Sequence, residues 1–388
     1  MKLAIRMNKY KIFLLVLSLS TGCILSCSGL IKLKVSEEEL SSDQEKWTTV
    51  FSSNNRHNSV DSDLIPPYRI AWRKGYKSVI TDQPLAVADH LIFTTRNGNL
   101  AFLNISKGQM LGDGRIAPGF DHAPVIENST LFYGASLGEK TLVALNMLNL
   151  KKIWETKLGH VYTSPVIWKE NIYVGTNNNK IAAVNKNNGE KIWQFDAGAS
   201  PVGIPAENEG RLFFSDIQGN LYCLDAESGK EIWRKTLETN VYSGPVIADG
   251  RLFIGTTAGT FFAFSADSGK FLWRTQTEGA IFGHASYRDG VVYFGNNAHA
   301  VHALRAEDGS KLWSFKTGGI VNTTPLAGRE YIYVLSWDKK LYIISRLDGE
   351  EVYHMEFNKP FKSSPLIYRN KLIIHTANDD IICLESRE

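Results

Sequence analysis

The chain has 388 residues, 43% of them hydrophobic, and carries 43 lysines and arginines against 40 aspartates and glutamates, a net charge of +3. This near balance, without a basic cluster or an RNA-binding motif, argues against a nucleic-acid-binding protein. The composition is that of an exported globular protein.

The N-terminus has the order of a signal peptide. Lys2, Arg6, Lys9 and Lys11 give it a positive charge without an acidic residue, and residues 12–19 are apolar. That apolar stretch is too short to cross a bilayer as a helix, and small residues and cysteines follow it. We therefore predict a cleaved signal over residues 1–27 and a polar tether over residues 28–46.

The end of this signal resembles that of a lipoprotein, with two candidate cysteines. Cys23 follows small residues, but Ser20 stands where such signals prefer leucine. Cys27 has Ile24 at that place, although Leu25 is bulky for the next one. We predict that Cys27 becomes the lipidated N-terminus, which anchors the protein to a membrane surface. Lipidation at Cys23 and a plain secretory signal are the alternatives.

From residue 72 onward the sequence repeats with a period of 40 residues. Two series of residues run in phase: a proline, once replaced by alanine, and an aromatic residue 11 or 12 positions before it. The first series is Pro84, Pro124, Pro165, Pro205, Pro245, Ala285, Pro325 and Pro365, and the second is Trp72, Trp154, Trp193, Trp233, Trp273, Trp313 and Tyr353. A fixed period of this length indicates one small structural unit repeated many times.

The unit is clearest in residues 245–273, PVIADGRLFIGTTAGTFFAFSADSGKFLW. Its apolar runs are short, rich in β-branched and aromatic residues, and separated by turn residues such as Asp249-Gly250, a hairpin signal. No helical periodicity intervenes. Each unit is therefore predicted to be a four-stranded antiparallel sheet. A turn glycine recurs at residues 189, 229, 269, 309 and 349, where we expect a positive φ.

Seven complete units and a partial eighth predict an all-β fold, an eight-bladed β-propeller over residues 47–388. The partial unit begins at Pro365 and supplies three strands. We expect its fourth strand to come from residues 68–73, around Trp72, paired with residues 381–384. Such a shared blade leaves no open edge between the first and last sheets.

The large aromatic residue at the end of each outer strand is predicted to pack between blades. Adjacent sheets of a propeller must bury their faces against each other, and one tryptophan can bury on the order of 150–250 Å². We therefore interpret the tryptophan series as packing residues and not as ligand contacts.

The unit, with its Ser-Pro start, its Gly-Thr pair, its Leu-Asp-Ala-like turn and its final tryptophan, resembles the quinoprotein-type (PQQ-like) propeller repeat. Residues 47–60, WTTVFSSNNRHNSV, and residues 66–72, PPYRIAW, resemble the leader of that family. The resemblance covers residues 47–388. In size and leader it is greatest to the BamB family of outer-membrane assembly lipoproteins.

The resemblance implies a non-catalytic scaffold in the cell envelope, lipid-anchored to the outer membrane and facing the periplasm. Its partner would be the outer-membrane β-barrel assembly machinery, a BamA-like protein. The scaffold would hold that machinery together or hand over nascent strands by edge pairing, and so aid the insertion of outer-membrane proteins. The fold alone does not fix this function.

The alternative is a PQQ-dependent quinoprotein dehydrogenase or a propeller that senses a small ligand in its central channel. Enzymes of this family typically have a vicinal cysteine pair, a calcium site and long insertions, none of which this sequence shows. We therefore predict no catalytic residue, no cofactor and no metal. Cys223 and Cys383 occupy equivalent places four blades apart, too far for a disulfide, and are expected to be buried free thiols.

The histidines show no metal-binding pattern. His299 and His302 are three residues apart, a spacing that gathers side chains on a helix but not on a strand. His122 and His284 lie just before the proline position, where the chain enters the innermost strand. We expect both to line the central channel.

Four aromatic residues outside the packing series are the candidate partner-binding residues. Tyr162, Tyr242 and Phe282 each lie three residues before the proline position, in a connection between blades, and Trp337 lies in a turn between the second and third strands. Those loops share one face of a propeller. An aromatic-rich face suits protein binding, although packing of the loops on each other is an equal alternative.

Overall fold

The computed structural model describes residues 37–38, 46–139, 141–237, 239–377 and 379–387. These residues form 32 strands in eight four-stranded antiparallel sheets, the blades of a propeller. The all-β, eight-bladed architecture predicted from the repeats is confirmed. The predicted signal with Cys23 and Cys27, and all but three residues of the predicted tether, lie outside the described residues.

In each of the first seven blades the four strands follow one another in chain order, from the central channel outward. Blade 1 contains β2 (Leu85–Val87), β3 (His90–Thr94), β4 (Asn99–Asn104) and β5 (Met110–Arg115), blade 2 contains β6 (Val125–Glu127), β7 (Thr130–Gly134), β8 (Leu142–Asn146) and β9 (Lys152–Thr156), and blade 3 contains β10 (Val166–Trp168), β11 (Asn171–Thr176), β12 (Lys180–Asn185) and β13 (Lys191–Asp196). Blade 4 contains β14 (Pro201–Asn208), β15 (Arg211–Asp216), β16 (Asn220–Asp225) and β17 (Glu231–Thr236), and blade 5 contains β18 (Val246–Ala248), β19 (Arg251–Gly255), β20 (Thr260–Ser265) and β21 (Phe271–Gln276). Blade 6 contains β22 (Ser286–Arg288), β23 (Val291–Asn296), β24 (Ala300–Arg305) and β25 (Lys311–Lys316), and blade 7 contains β26 (Leu326–Ala327), β27 (Tyr331–Leu335), β28 (Lys340–Ser345) and β29 (Glu351–Glu356).

Blade 8 is closed by a strand from the other end of the chain. It contains β30 (Leu366–Tyr368), β31 (Lys371–His375) and β32 (Asp380–Ser386), and its outer strand is β1 (Tyr68–Gly75). The two strands are antiparallel, with Tyr68 opposite Ser386 and Trp72 opposite Cys383. The shared blade predicted from residues 68–73 is therefore confirmed.

The hairpins between the first and second strands follow from their turn residues. In blade 5, Asp249 has φ of +48° and Gly250 has φ of +69°. Positive φ at both central residues is the geometry of a type I′ turn, whose twist matches that of the strands it joins. Blade 6 repeats this turn with Asp289 and Gly290, at φ of +48° and +76°.

Most neighbouring blades are joined by one repeated contact between a tryptophan and a glycine. In blade 5, Trp273 donates its Nε1–H to the carbonyl of Ala306 in blade 6, at 3.1 Å. A β-carbon on Gly309, in the same turn, would lie 2.5 Å from the Trp273 ring. The same arrangement, which we call the Trp–Gly contact, joins the tryptophan–glycine pairs Trp154–Gly189, Trp193–Gly229, Trp233–Gly269 and Trp313–Gly349.

The Trp–Gly contact also closes the ring. Trp72 of β1, which belongs to blade 8, donates its Nε1–H to the carbonyl of Ile105 in blade 1, at 2.7 Å. Its ring leaves no room for a β-carbon on Gly108, whose φ is +63°. The tryptophan series is thus made of packing residues, as the sequence indicated.

Residues 47–60, the leader segment, run around the inside of the channel along the innermost strands. Trp47 exchanges two backbone hydrogen bonds with Ala86 of blade 1, and the Asn54 side chain donates to the Ile167 carbonyl of blade 3. Leader carbonyls accept from the backbone N–H groups of Ile126, Glu207, Ile247, Tyr287 and Ala327, in blades 2, 4, 5, 6 and 7. The leader therefore pairs with inner-strand groups that would otherwise lack partners.

In the described part of the chain, no helix has the length and apolar character needed to cross a membrane.

Two glycine substitutions separate the Trp–Gly contact from backbone strain. Gly269 and Gly250 have φ of +63° and +69°, but a β-carbon would lie 2.8 Å from Trp233 at Gly269 and would meet nothing within 4 Å at Gly250. Both alanine variants carry the positive-φ cost of about 1–2 kcal/mol. We expect Gly269→Ala to lose about 1–3 kcal/mol more, because the Trp233 ring must move.

The comparison is made on the free energy of unfolding in urea, with Gly250→Ala as the matched control. Equal losses in the two variants would contradict a packing role for the Trp–Gly contact.

Candidate functional site

A cavity of about 280 Å³ lies at the centre of the ring. Its floor is formed by Val50 and Phe51 of the leader segment, and its walls by the residues that precede the innermost strands. It opens on the face that carries the connections between blades, which we call the connection face. The opposite end of the channel holds the leader.

His284 reaches across the cavity wall because glycines leave it room. Its Nε2 accepts a hydrogen bond from the Ile204 backbone N–H at 3.2 Å, and its ring centroid lies 4.9 Å from that of Phe51. A β-carbon on Gly244 would lie 2.8 Å from this Nε2. Burial, reinforced by the charge of Arg56, lowers the pKa of His284 to about 3. His284 is therefore neutral at pH 7, and its proton is on Nδ1.

Asp82 and His122 form a second polar feature of the wall. An Asp82 oxygen lies 3.2 Å from His122 Nδ1 and accepts from the Ala123 N–H at 2.9 Å. Burial opposes the charged form of both groups. The hydrogen bond between them and the attraction of their opposite charges together outweigh this effect. The pKa of Asp82 is lowered and the pKa of His122 is raised.

Three of the four predicted partner-binding aromatics lie at the mouth of this cavity. Tyr162, Tyr242 and Phe282 line it, and the ring centroids of Tyr242 and Phe282 are 5.6 Å apart. Tyr162 is 38% exposed and Tyr242 is 43% exposed. Trp337, 53% exposed, lies on the same face but does not line the cavity. Whether any of them contacts a partner stays a prediction.

Sequence reasoning placed His122 and His284 beside the channel, and both line the cavity. It missed Asn322, Lys362 and Ser363, which also line it. The signal was present in the repeat: Asn322 and Lys362 lie three residues before their proline, the place that Tyr162 and Tyr242 occupy in other blades. A repeat alignment that kept polar residues at this place would have found them.

Other candidate groups lie away from the cavity. Cys223 and Cys383 are free thiols in the third strands of blades 4 and 8, and burial raises the pKa of each to about 12. His299 is exposed in a turn, whereas His302 lies in β24, its ring 5.2 Å from that of Phe294. Within the described residues, no group of three or more His, Cys, Asp or Glu side chains is placed to hold a metal ion.

Comparison with known proteins supports the resemblance read from the repeats. The profile of a family described as "Outer membrane protein assembly factor BamB" matches residues 69–195, 177–319 and 298–388. An uncharacterized protein of Rickettsia conorii is 27% identical over 171 residues, which are 37% of this chain and 41% of that protein. The chain therefore aligns with less than half the length of this relative.

Solved structures share the propeller fold. BamB from Moraxella catarrhalis matches with a TM-score of 0.66 at 15% identity, over 82% of this chain and all of that one. A quinohemoprotein alcohol dehydrogenase from Comamonas testosteroni matches with a TM-score of 0.75 at 10% identity, over 92% of this chain and 83% of that one. A europium-containing methanol dehydrogenase matches with a TM-score of 0.73 at 10% identity, over 88% of this chain and 91% of that one. Identities this low show the fold alone.

The cavity is a poor fit for a quinone held by calcium. Asp82 is the carboxylate among its lining residues, and it is already bound by His122. The other side-chain oxygen atoms of the lining belong to neutral amide and hydroxyl groups, so a doubly charged cation would find one carboxylate to balance it. We derive no redox step from this site.

Because His284 is buried in its neutral form, we expect the stability of the folded protein to fall in acid. The pKa of His284 is about 3 in the folded chain against an ordinary 6.5. Its stabilising contribution is therefore complete above pH 6.5 and is lost as the pH falls towards 3. The loss approaches about 1.4 kcal/mol per pH unit. We expect His284→Gln, which keeps an acceptor for the Ile204 N–H and cannot titrate, to lose stability less steeply between pH 6.5 and 4.

His299→Gln is the matched control, because His299 is exposed. The measurement is the free energy of unfolding of both variants and the parent at several pH values. A slope for His284→Gln equal to that of the parent would contradict the burial of a neutral imidazole.

Proposed function

The chain belongs to the family of the outer membrane protein assembly factor BamB, and we propose that it is a non-catalytic scaffold of the cell envelope. It docks through the connection face onto the machinery that assembles outer-membrane β-barrels, a BamA-like protein, and aids insertion of those barrels. It is attached to the outer membrane through lipid on Cys27, or on Cys23, and faces the periplasm.

The observation that carries the docking proposal is the set of exposed large apolar side chains that share the connection face. Tyr162, Tyr242 and Trp337 are each more than a third exposed, and Leu137, in the turn between β7 and β8, is 64% exposed. Large aromatic residues that stay in water are enriched where proteins bind each other, and they supply much of the binding energy. The tryptophans of the repeat, by contrast, pack between blades.

The outer edges of the blades support edge pairing less well. In blades 2–7 the outer edge exposes an aliphatic side chain just before the packing aromatic. A charged residue precedes it in all of these blades except blade 5, where Phe271 precedes Leu272. The pairs are Lys152–Ile153, Lys191–Ile192, Glu231–Ile232, Lys311–Leu312 and Glu351–Val352. Charged residues on an edge strand oppose pairing with another chain. We therefore assign docking to the connection face and not to these edges.

Replacing one aromatic of the connection face tests the docking surface. Tyr242 packs only against Phe282 among the aromatic rings, so Tyr242→Ala should leave the melting temperature nearly unchanged. If Tyr242 is a central contact, the variant should lose about 2 kcal/mol or more of binding to the purified assembly machinery, roughly a 30-fold weaker Kd.

Leu347→Ser is the matched control. Leu347 is 90% exposed and lies in the turn between β28 and β29, which is on the face opposite the connections. It should bind as the parent does. If Tyr242→Ala melts early and still binds at parental affinity, Tyr242 only packs the loops, and the docking surface lies elsewhere.

The anchor is tested independently of docking. Protein extracted from native membranes should begin at Cys27 and carry acyl groups, as read by intact-mass and peptide mass spectrometry. Cys27→Ser should release it into the soluble envelope fraction, whereas Cys23→Ser should not. A mature chain with acyl groups on Cys23 would select the alternative, and one without acyl groups would remove the anchor.

A further inference from the structure

Arg56 is a buried cation with no carboxylate hydrogen-bonded to it. Its side chain is 0% exposed, and its hydrogen bonds go to neutral groups: Pro205 O, Thr49 Oγ1, Val50 O and Ser53 O. Its Nη2 has no hydrogen-bond partner among the described residues. Burial lowers the pKa of Arg56 to about 9, so the side chain is still charged at pH 7. A buried charge without a counter-charge is costly.

Glu207 is the acid that acts electrostatically on Arg56, without a hydrogen bond to it. Glu207 is buried, its Oε1 accepts from the Gly210 N–H at 2.9 Å, and burial raises its pKa. Two other acids near the cavity have their own partners. Asp82 is bound by His122, and Asp379 lies 3.6 Å from Lys362 and accepts from the Ile80 N–H. Arg56 therefore has Glu207 as an electrostatic partner but no carboxylate in hydrogen-bond contact.

Arg56 lies directly below the cavity floor. It donates to the carbonyl of Val50, which forms part of that floor, and to the carbonyl of Pro205, next to the lining residue Ile204. Its charge also lowers the pKa of His284 on the wall. A negative charge placed on the floor would therefore be attracted to Arg56, from which the leader backbone separates it.

The cavity also presents polar atoms that lack protein partners. Ser363 is buried and its Oγ has no hydrogen-bond partner among the described residues. Lys362 lines the cavity from the same connection, with its ammonium group 3.6 Å from Asp379, and the neutral His284 offers a proton on Nδ1. These three groups can donate hydrogen bonds. Above them, at the mouth, lie the rings of Tyr162, Tyr242 and Phe282.

We propose that this cavity binds a small organic anion, with its carboxylate on the floor near Ser363, His284 and Lys362 and its apolar or aromatic body between the rings at the mouth. The anion adds a second counter-charge for Arg56 beside that of Glu207. The occupant is a free small molecule, since the cavity volume of about 280 Å³ admits one small molecule. This proposal shares the rings at the mouth with the docking proposal, but it does not rest on it, because its test uses the isolated protein without a partner.

The test uses the isolated full-length protein and three aromatic acids of increasing length: benzoate, phenylacetate and 3-phenylpropionate. Isothermal titration calorimetry compares each acid with its neutral amide and with inorganic sulfate. We expect at least one acid to bind with one-to-one stoichiometry and at least tenfold more tightly than its amide and than sulfate. Binding of none of the acids, or equal binding of acid and amide, overturns the proposal.

Sulfate binding as tight as that of the best acid would overturn the assignment to an organic anion, because sulfate has no apolar body. Lys362→Met should weaken the best acid at least fivefold, whereas Lys359→Met, an exposed lysine of the same connection outside the cavity lining, should not. Equal affinities of the two variants would overturn the proposal. Arg56→Met is not decisive, since Arg56 also holds the leader in place.

Discussion

The Trp–Gly contact between neighbouring blades is the constraint on which the rest of the structure depends. The flat face of an indole packs on a backbone that has no side chain, while its N–H satisfies a carbonyl of the next blade. Trp72 makes this contact from the N-terminal strand β1, so the same interaction that stacks blades also joins blade 8 to blade 1. Two junctions depart from the pattern. Between blades 1 and 2, Leu111 and Leu150 stand in place of tryptophan and glycine, and between blades 7 and 8, Tyr353 packs against Tyr68.

Closure of the ring creates both the channel and the two different faces of the molecule. Eight inner strands converge around an axis and present unpaired backbone groups to it. The leader segment satisfies these groups at one end and carries Arg56 into the interior. The other end stays open, lined by polar side chains and edged by aromatic rings. The partner-binding and anion-binding proposals both follow from this difference between the ends.

The repeats made much of the fold predictable. The proline and tryptophan series, the Asp-Gly hairpins and the missing outer strand predicted eight blades and the pairing of β1 with β32, because each depends on local turn chemistry and on a fixed period. The path of the leader was not predictable in this way. Its hydrogen bonds with Ile126, Ile247 and Tyr287 form only when those strands are side by side, and residues 47–60 have no periodicity of their own.

Part of the cavity lining was also predictable from the fixed period of the repeats. His122 and His284 could be placed beside the channel from their position before the innermost strand. The buried charge of Arg56 could not, since the sequence gives no sign that an arginine in a polar leader segment is enclosed by the ring. The four aromatics could be placed on one face, but the division between Tyr242 at the cavity mouth and Trp337 outside it depends on the loop geometry of each blade.

The central claim is that a protein partner binds the connection face. Hydrogen–deuterium exchange of the protein alone and in complex with the purified assembly machinery tests it most directly. The account predicts slower exchange in the complex for the connections that contain Tyr162, Tyr242 and Phe282 and for the turn of Trp337. It predicts no change in the hairpins of the opposite face, such as Asp249-Gly250. Protection confined to those hairpins, or to the outer strands, would contradict the claim.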